Sequence, residues 1–194
     1  MSLADSPLIY EGLRLAFLVG LRVRPIVSAL DLRHGENLLD AGCGYGTFLK
    51  FCGDIDYTGV DTNEARILGA KEKYGETTTR RFIRADIAET RLPDKSFDKA
   101  ICYGLLHHLP DDRAHLCLKE LHRLVRKSVV FSDPVYTKYH VVNNFFCSLD
   151  RGRYVRNAET YSSLCQPYFR NLSTRTFYAR NGLLKYFLQV GQLS

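Results

Sequence analysis

Two adjacent histidines, His107 and His108, have the side chain best suited to acid–base chemistry in this sequence. An imidazole gains or loses a proton near neutral pH, so either one could activate a hydroxyl, an amine or an acidic carbon. They follow the apolar run 100–103, which is typical of a strand that is covered on both faces. The alternative is structural: one histidine packs against or caps the helix that begins near Asp111, and the other lines a wall.

A glycine-rich loop is the second chemical feature. Leu38 and Leu39 lead to Asp40, and glycines follow at alternate positions, Gly42, Gly44 and Gly46. This pattern predicts a buried strand that turns sharply into a helix. Glycine lets a ligand approach the backbone, and amide groups at a helix start can donate to it. The pattern indicates a nucleotide-type binding loop, with an ordinary tight turn as the alternative.

An acidic residue further along the chain narrows the class of ligand. A dinucleotide-binding loop reads G-x-G-x-x-G and has a ribose-binding acid about 20 residues later. Here Gly46 comes one position early, which argues against a dehydrogenase. Asp61 ends a short predicted strand, where its carboxylate can accept hydrogen bonds from ribose hydroxyls. The combined pattern D-x-G-x-G-x-G followed by G-V-D resembles the class I S-adenosylmethionine-dependent methyltransferases.

The resemblance implies a set of cofactor contacts. Asp61 would hold the ribose, the glycine loop would hold the methionine end, and Asp86 with Ile87 would bind the adenine. His107 or His108 is the candidate catalytic base, unless the reaction needs none. The residues expected to bind S-adenosylmethionine are Asp40, Gly42, Cys43, Gly44, Tyr45, Gly46, Asp61, Thr62, Asp86, Ile87 and Tyr103.

The last third of the chain is predicted to bind the acceptor. Residues 134–194 carry eight basic and two acidic side chains, whereas residues 1–133 carry 19 of each, so the whole net charge of +6 lies in the last third. The segment 151–156 holds three arginines, and a guanidinium binds carboxylate or phosphate in a bidentate manner. A solvated basic face is the alternative. The candidate acceptor residues are Tyr10, Asp133, Tyr136, His140, Arg151 and Arg153.

The elements that would position these residues alternate between helix and strand. Pro25 is expected to end or kink the first helix. The pair Asn181-Gly182 is a strong signal for a hairpin between the last two strands. Helices are predicted over about 8–23, 25–32, 46–52, 63–73, 111–125, 137–149 and 160–166. After the strand that leads into the glycine loop, further strands are predicted over 57–61, 81–85, 99–103, 128–132, 172–178 and 184–190.

This order, together with the resemblance, implies an α/β fold. We expect a Rossmann-like doubly wound sheet in three layers, α/β/α, which is mostly parallel with one antiparallel C-terminal strand. A single methyltransferase domain is expected over residues 1–194. Within it, residues 1–35 would form an N-terminal helical cover and residues 36–133 the cofactor-binding core. Residues 134–194 would form a basic, aromatic insert on the acceptor side and the closing β-hairpin.

Composition argues against several classes of protein. The chain has 194 residues, of which 45% are hydrophobic and 25% charged, as in an ordinary globular domain. Its six cysteines include no C-x-x-C pair, so we expect neither a metal site nor a disulfide framework. The longest N-terminal apolar run, 15–21, is too short to span a membrane, and no cleavage site follows it. A cytoplasmic monomer or homodimer is expected.

The leading hypothesis is methyl transfer from S-adenosylmethionine to a small-molecule or lipid-like acceptor, with an anionic group on the acceptor as an option and S-adenosylhomocysteine as the product. A noncatalytic S-adenosylmethionine-binding partner or sensor is an alternative, since the binding motifs do not require turnover. An RNA methyltransferase is less favoured, because the loop 103–106 reads Tyr-Gly-Leu-Leu where amino methyltransferases of nucleic acids have Asn or Asp, Pro, Pro and an aromatic residue. No stable nucleic-acid partner is expected.

Overall fold

A computed structural model describes residues 22–149, 152–180 and 182–193 of the chain. Helices and strands alternate along most of it. The helices are α1 (Val23–Leu30), α2 (Glu64–Tyr74), α3 (Asp111–Leu124), α4 (Val141–Leu149) and α5 (Ala158–Cys165), with short 3-10 turns at Leu49–Phe51, Ile87–Glu89 and Leu106–His108. The strands are β1 (Asn37–Ala41), β2 (Asp56–Asp61), β3 (Arg80–Arg84), β4 (Phe97–Tyr103), β5 (Val125–Pro134), β6 (Arg170–Tyr178) and β7 (Lys185–Gln192).

The strands form one seven-stranded sheet in the order β3-β2-β1-β4-β5-β7-β6. The first five strands pair in parallel, and β7 pairs antiparallel with both β5 and β6. The strand order reverses between β1 and β4, and ligands of open α/β sheets bind beyond the carboxyl ends of the strands at such a point. The expected doubly wound, mostly parallel sheet with one antiparallel strand is therefore confirmed.

Helices cover both faces of the sheet, which gives the predicted three-layer α/β/α arrangement. On one face α3 and α5 pack against the sheet through residues such as Leu118, Leu121 and Tyr161. On the other face α1 and α2 pack through Ile26 and Ile67. Because both faces are covered, the centres of β4 (100–102) and β5 (129–131) are apolar and buried, as parallel strands in such sheets are.

Several predicted boundaries differ from the structure. The helix expected over 25–32 is present as α1, Val23–Leu30, and Pro25 lies in its first turn, where the N–H groups of a helix have no partner inside it. The helix expected over 46–52 is only the 3-10 turn Leu49–Phe51, and the helix expected from Thr137 begins at Val141. The predicted helix over 8–21, with Tyr10, lies outside the described residues, as do Arg151 and Asn181.

The carboxyl ends of the parallel strands meet at one edge of the sheet. The register places Ala41 beside Val60 and Cys102, and Tyr103 beside Ser132. The antiparallel strand β7 begins at this same edge, since Tyr186 pairs with Pro134. Each candidate residue that the structure describes therefore lies at this edge of the sheet or in a segment that follows one of these strand ends.

Candidate functional site

The glycine loop follows β1 and is tied to the next strand. The backbone N–H groups of Gly42 and Cys43 both donate to the carbonyl of Val60, at 2.8 and 3.0 Å. Gly42, Gly44 and Gly46 all have positive φ, at 76°, 54° and 70°, which other residues rarely adopt. A Cβ on Gly44 would meet nothing within 4 Å. The backbone of the loop is therefore open to a ligand at its tip.

Asp61 stands at the end of β2 directly beside the loop. Its Oδ2 accepts from the N–H of Gly44 at 2.9 Å, and its Oδ1 accepts from the N–H of Asn63 at 2.8 Å. A carboxylate oxygen has two lone pairs, so each oxygen keeps capacity for one more donor. The open loop and the nearby carboxylate fit a ligand that has a ribose diol, as S-adenosylmethionine has.

Asp40 lies beneath the loop. It is only 1% exposed, and one of its carboxylate oxygens accepts a hydrogen bond from the hydroxyl of Tyr57 at 2.6 Å. Burial raises the pKa of Asp40 to about 7, and the same burial holds the pKa of Tyr57 well above its ordinary value. Asp40 thus lies buried at the start of the loop, and the hydrogen bond from the Tyr57 hydroxyl holds its carboxylate in place. The sequence analysis did not identify Tyr57.

The other predicted loop residues differ in their surroundings. Cys43 is buried, and burial raises the pKa of its thiol, which makes it a poor nucleophile. Tyr45 is exposed and its ring lies against α2 at Gly69, where an added Cβ would come within 2.9 Å of the ring. Thr62 is exposed between Asp61 and α2.

Asp86 and Ile87 follow β3 at the same edge. Asp86 caps the 3-10 turn by accepting from the N–H of Ala88 at 2.9 Å, and its second oxygen pairs with Arg113 of α3. Ile87 is buried beside the sheet. Arg113 also forms an ion pair with Glu89 at 3.2 Å. The sequence analysis did not identify Arg113 as a neighbour of Asp86.

The candidate base His107 lies in the turn after β4 and is buried, with 4% of its surface exposed. Its Nδ1 lies 2.6 Å from Oδ1 of Asp133, which ends β5, and its backbone N–H donates to the same oxygen at 3.1 Å. A carboxylate only accepts hydrogen bonds, so Nδ1 carries a proton and Nε2 is the nitrogen that can take one up. His108 is exposed, and its ring centre lies 4.0 Å from that of His107.

The segment 152–156 passes directly over His107. The N–H of Tyr154 donates to the carbonyl of His107 at 2.9 Å. A Cβ on Gly152 would come within 1.9 Å of Cδ2 of the His107 ring, so only glycine fits this position. The segment therefore holds the imidazole against Asp133.

The two described arginines of this segment, Arg153 and Arg156, have different surroundings. Arg156 is buried and pairs with Asp111 at 2.6 Å, and it also donates to the carbonyls of Leu106 and Leu109, both at 2.8 Å. It braces the turn that carries the histidines and is not available as an anion site. Arg153 is exposed.

An aromatic group lines the edge next to the histidine turn. The ring of Tyr103 lies 5.2 Å from that of Phe48 and 5.9 Å from that of Tyr186, which in turn lies 5.7 Å from the ring of Phe177. Tyr136 packs against the same cluster. His140 lies on the surface, with its ring 5.7 Å from that of Tyr178. Tyr186 and Phe177 come from the closing hairpin, and the sequence analysis did not identify them.

The part of the chain that the structure describes contains neither a metal-binding cluster nor a membrane-spanning helix. Among residues 22–149, 152–180 and 182–193, no group of three or more His, Cys, Asp or Glu side chains could hold a metal ion. Within those same ranges, no helix is long and apolar enough to cross a membrane.

Comparison with known proteins agrees with this geometry. A family model described as a methyltransferase domain matches residues 38–128. The chain is 32% identical over 110 residues to cycloartenol-C-24-methyltransferase of Arabidopsis thaliana, an alignment that covers 53% of this chain and 32% of the relative. It is 34% identical over 107 residues to 27-O-demethylrifamycin SV methyltransferase of Amycolatopsis mediterranei, covering 52% of this chain and 39% of the relative. These alignments thus span 32% and 39% of the length of the two relatives.

The fold is also similar to that of solved structures. Human N-acetylserotonin methyltransferase in complex with S-adenosylmethionine superposes with a TM-score of 0.71 at 16% identity, over 90% of this chain and 52% of that one. The matched family region contains β1, the glycine loop, Asp61 and the histidine turn. From these matches and the loop geometry, residues 38–128 of the chain are similar to the class I S-adenosylmethionine-dependent methyltransferase family.

Proposed function

We propose that this chain transfers a methyl group from S-adenosylmethionine to an apolar small-molecule or lipid-like acceptor. The observation that carries the proposal is the pairing of the open glycine loop with Asp61, through the hydrogen bond from Gly44 to the carboxylate. In such a reaction the bound cofactor supplies an electrophilic methyl group on a sulfonium sulfur. The protein contributes mainly alignment and the exclusion of water.

Each part of the site has a proposed role. Asp61 binds the ribose hydroxyls, and the backbone of the glycine loop binds the methionine end. Asp86 and Ile87 hold the adenine at the end of β3. Thr62 and Tyr45 border the ribose, while Asp40 and Cys43 support the loop from below. Tyr103 lies between the cofactor and the acceptor.

The acceptor class is proposed from the lining of the edge. The cluster of Tyr103, Tyr136, Phe177 and Tyr186 offers aromatic surface and no acidic group, which suits an apolar acceptor. The two relatives named above carry the names of a sterol-type and a rifamycin methyltransferase, which supports an acceptor of this kind. Arg153 is the described candidate for an anionic group on the acceptor, since Arg156 is engaged with Asp111.

We assign the proton transfer, where the acceptor requires one, to His107. Asp133 favours the proton on Nδ1, so a proton taken from the acceptor would be received at Nε2. His108 is the second candidate, because it is exposed beside the same edge.

The proposal is tested with S-adenosylmethionine labelled on the methyl group. The full chain is incubated with a cell extract that has been divided into small-molecule, lipid, RNA and protein pools. Asp61→Asn is the inactive variant, and Asp54→Asn is its matched control because Asp54 is an exposed aspartate in the loop before β2. We expect label in the small-molecule or lipid pool with the unmodified chain and with Asp54→Asn, and none with Asp61→Asn.

Two other results would contradict the proposal. Label confined to the RNA or protein pool would assign a different acceptor. Calorimetric binding of S-adenosylhomocysteine without label in any pool, with acceptors of each class present, would indicate a noncatalytic binding protein.

A further inference from the structure

Helix α4 presents three apolar side chains, Val141, Val142 and Phe145, outward and the polar side chain of Asn143 inward. Val141 is 80% exposed and Phe145 is 58% exposed, and Tyr139 just before the helix is 85% exposed. On the opposite side, Asn143 is completely buried and Cys147 is nearly so. This arrangement is the reverse of a surface helix in a soluble domain, whose apolar stripe normally faces the core.

The inward asparagines fix the helix in this orientation. Asn143 donates through Nδ2 to the carbonyl of Val135 at 2.8 Å and accepts through Oδ1 from the N–H of Lys185 at 2.7 Å. Asn144 accepts from the N–H of Thr137 at 3.0 Å and donates to the carbonyl of the same residue at 2.8 Å. A rotation that buried the apolar face would break all four hydrogen bonds. The exposure of that face is therefore a property of the fold.

The surroundings of the face are basic. No acidic residue occurs between Pro134 and Leu149. The ammonium group of Lys138 lies 5.4 Å from the ring centre of Tyr139, at the edge of the face. Lys185, whose N–H donates to Asn143, has its ammonium group 5.7 Å from the ring centre of Tyr178, and that ring lies 5.7 Å from the ring of His140 just before the helix. Arg180 is exposed in the turn that leads to β7.

We propose that α4 docks the protein onto an anionic lipid surface. The docking face consists of Tyr139, Val141, Val142 and Phe145, with Lys138 at its margin and Lys185 close to it beside Tyr178 and His140. An exposed patch of apolar and aromatic side chains with basic residues around it matches a membrane surface, where the apolar groups enter the interface and the cations meet anionic headgroups. A two-fold dimer would instead place two copies of the same basic margin together, which costs electrostatic energy.

The docking face lies next to the acceptor side of the site. The inner side of α4 packs through Phe146 and Cys147 against the cluster that contains Tyr103, Tyr136 and Tyr186. Docking through the outer side would therefore hold the carboxyl edge of the sheet close to the lipid. Binding to lipid needs neither cofactor nor acceptor, so the inference stands apart from the proposed function.

The test is vesicle flotation of the full chain without cofactor. Vesicles of phosphatidylcholine alone are compared with vesicles that contain phosphatidylcholine and phosphatidylglycerol. We expect the chain to float with the anionic vesicles, and the bound fraction to fall as salt is raised. Phe145→Ser should weaken the partition about tenfold, the effect of withdrawing one buried aromatic ring. Lys138→Gln should weaken it by a few fold.

Two control variants match these changes. Leu68→Ser removes an apolar side chain of nearly equal exposure, 59%, from α2 on another part of the surface. Lys73→Gln removes a lysine that also lies over a tyrosine ring, at 4.8 Å from that of Tyr74. Neither control should change flotation. Thermal unfolding of all four variants verifies that each is folded.

Two results would overturn the inference. The first is a folded chain that does not float with anionic vesicles, or that floats equally well after Phe145→Ser. The second is a dimer in light scattering that Phe145→Ser dissociates, which would assign the face to a second copy of the chain. Either result leaves the label-transfer experiment unaffected.

Discussion

One carboxylate oxygen of Asp133 binds His107 twice, at Nδ1 of the ring at 2.6 Å and at the backbone N–H at 3.1 Å. The two residues lie 26 positions apart: His107 is in the turn after β4, and Asp133 is near the end of the neighbouring strand β5. The double contact fixes the position of the turn and the tautomer of the ring together. The first prediction follows from this contact.

His107→Gln should lower kcat for methyl transfer by about 100-fold or more, because a positioned general base contributes roughly that factor. Asp133→Asn should lower kcat as well, since an amide at this position no longer favours the proton on Nδ1. The pH dependence of kcat is measured for both variants with the acceptor found in the labelling experiment. His34→Gln serves as the control because its side chain is 86% exposed. A greater loss in His108→Gln than in His107→Gln would assign the base to His108.

Asp61→Asn should weaken the binding of S-adenosylhomocysteine by about 10- to 100-fold. The estimate reflects the loss of one or more hydrogen bonds to a charged group, each of which contributes about 1.5 to 3 kcal/mol. The amide would also place a donor group beside the N–H of Gly44 or Asn63, which disturbs the loop. Isothermal titration calorimetry measures the affinity, with Asp54→Asn as the control. Equal affinities of the two variants for S-adenosylhomocysteine would show that Asp61 does not bind the ribose.

Gly152→Ala should destabilise the protein by about 1 to 3 kcal/mol, the usual range for overpacking, and should lower activity. The reason is the position of the new Cβ, which would overlap the His107 ring. Chemical denaturation gives the free energy of unfolding. The same substitution in a His107→Ala background should cost much less, because the ring that clashes is absent. Equal costs in both backgrounds would show that the strain lies elsewhere.

Asp40 should make the protein less stable as pH rises from about 4 to 7. Its pKa is about 7 in the folded chain, against an ordinary value of 3.8, so the folded state binds more protons than the unfolded state across this window. Stability falls with pH wherever the folded state holds more protons. The pKa values of Glu36 and Asp98 are lowered, so these groups act in the opposite sense and at lower pH.

The prediction is tested by comparing Asp40→Asn with the unmodified chain. The free energy of unfolding of the unmodified chain, relative to that of the variant, should fall by a few kcal/mol between pH 4 and 7. Urea denaturation at a series of pH values measures both chains. A difference that stays constant with pH would show that Asp40 does not titrate in this range.

The glycine loop and Asp61 could be predicted from the sequence because their signals are local. Three alternate glycines after an apolar strand determine the turn, and a strand that ends in an acid determines where that acid lies. The same reasoning placed His107 and Asp133 at one edge, since parallel strands end together. It could not predict their contact, which depends on how the two turns fold over each other.

The segment 151–156 marks where sequence reasoning was incomplete. Three closely spaced arginines suggested a single anion site, but Arg156 points inward to Asp111 and to two carbonyls of the histidine turn. Asp111 is 45 residues away in the chain, so no local pattern connects them. Of the two described arginines, Arg156 is therefore buried and supports the histidine turn, whereas Arg153 is exposed.

The position of β7 between β5 and β6 affects the order in which the protein can be made. Strand β6 leaves the ribosome before β7, yet it pairs only with β7 in the sheet. A growing chain that has not reached Lys185 has one edge of β5 unpaired and no partner for β6, and such edges attract other strands. Strand β7 therefore completes both the sheet, by joining β5 to β6, and the aromatic side of the site, to which it contributes Tyr186.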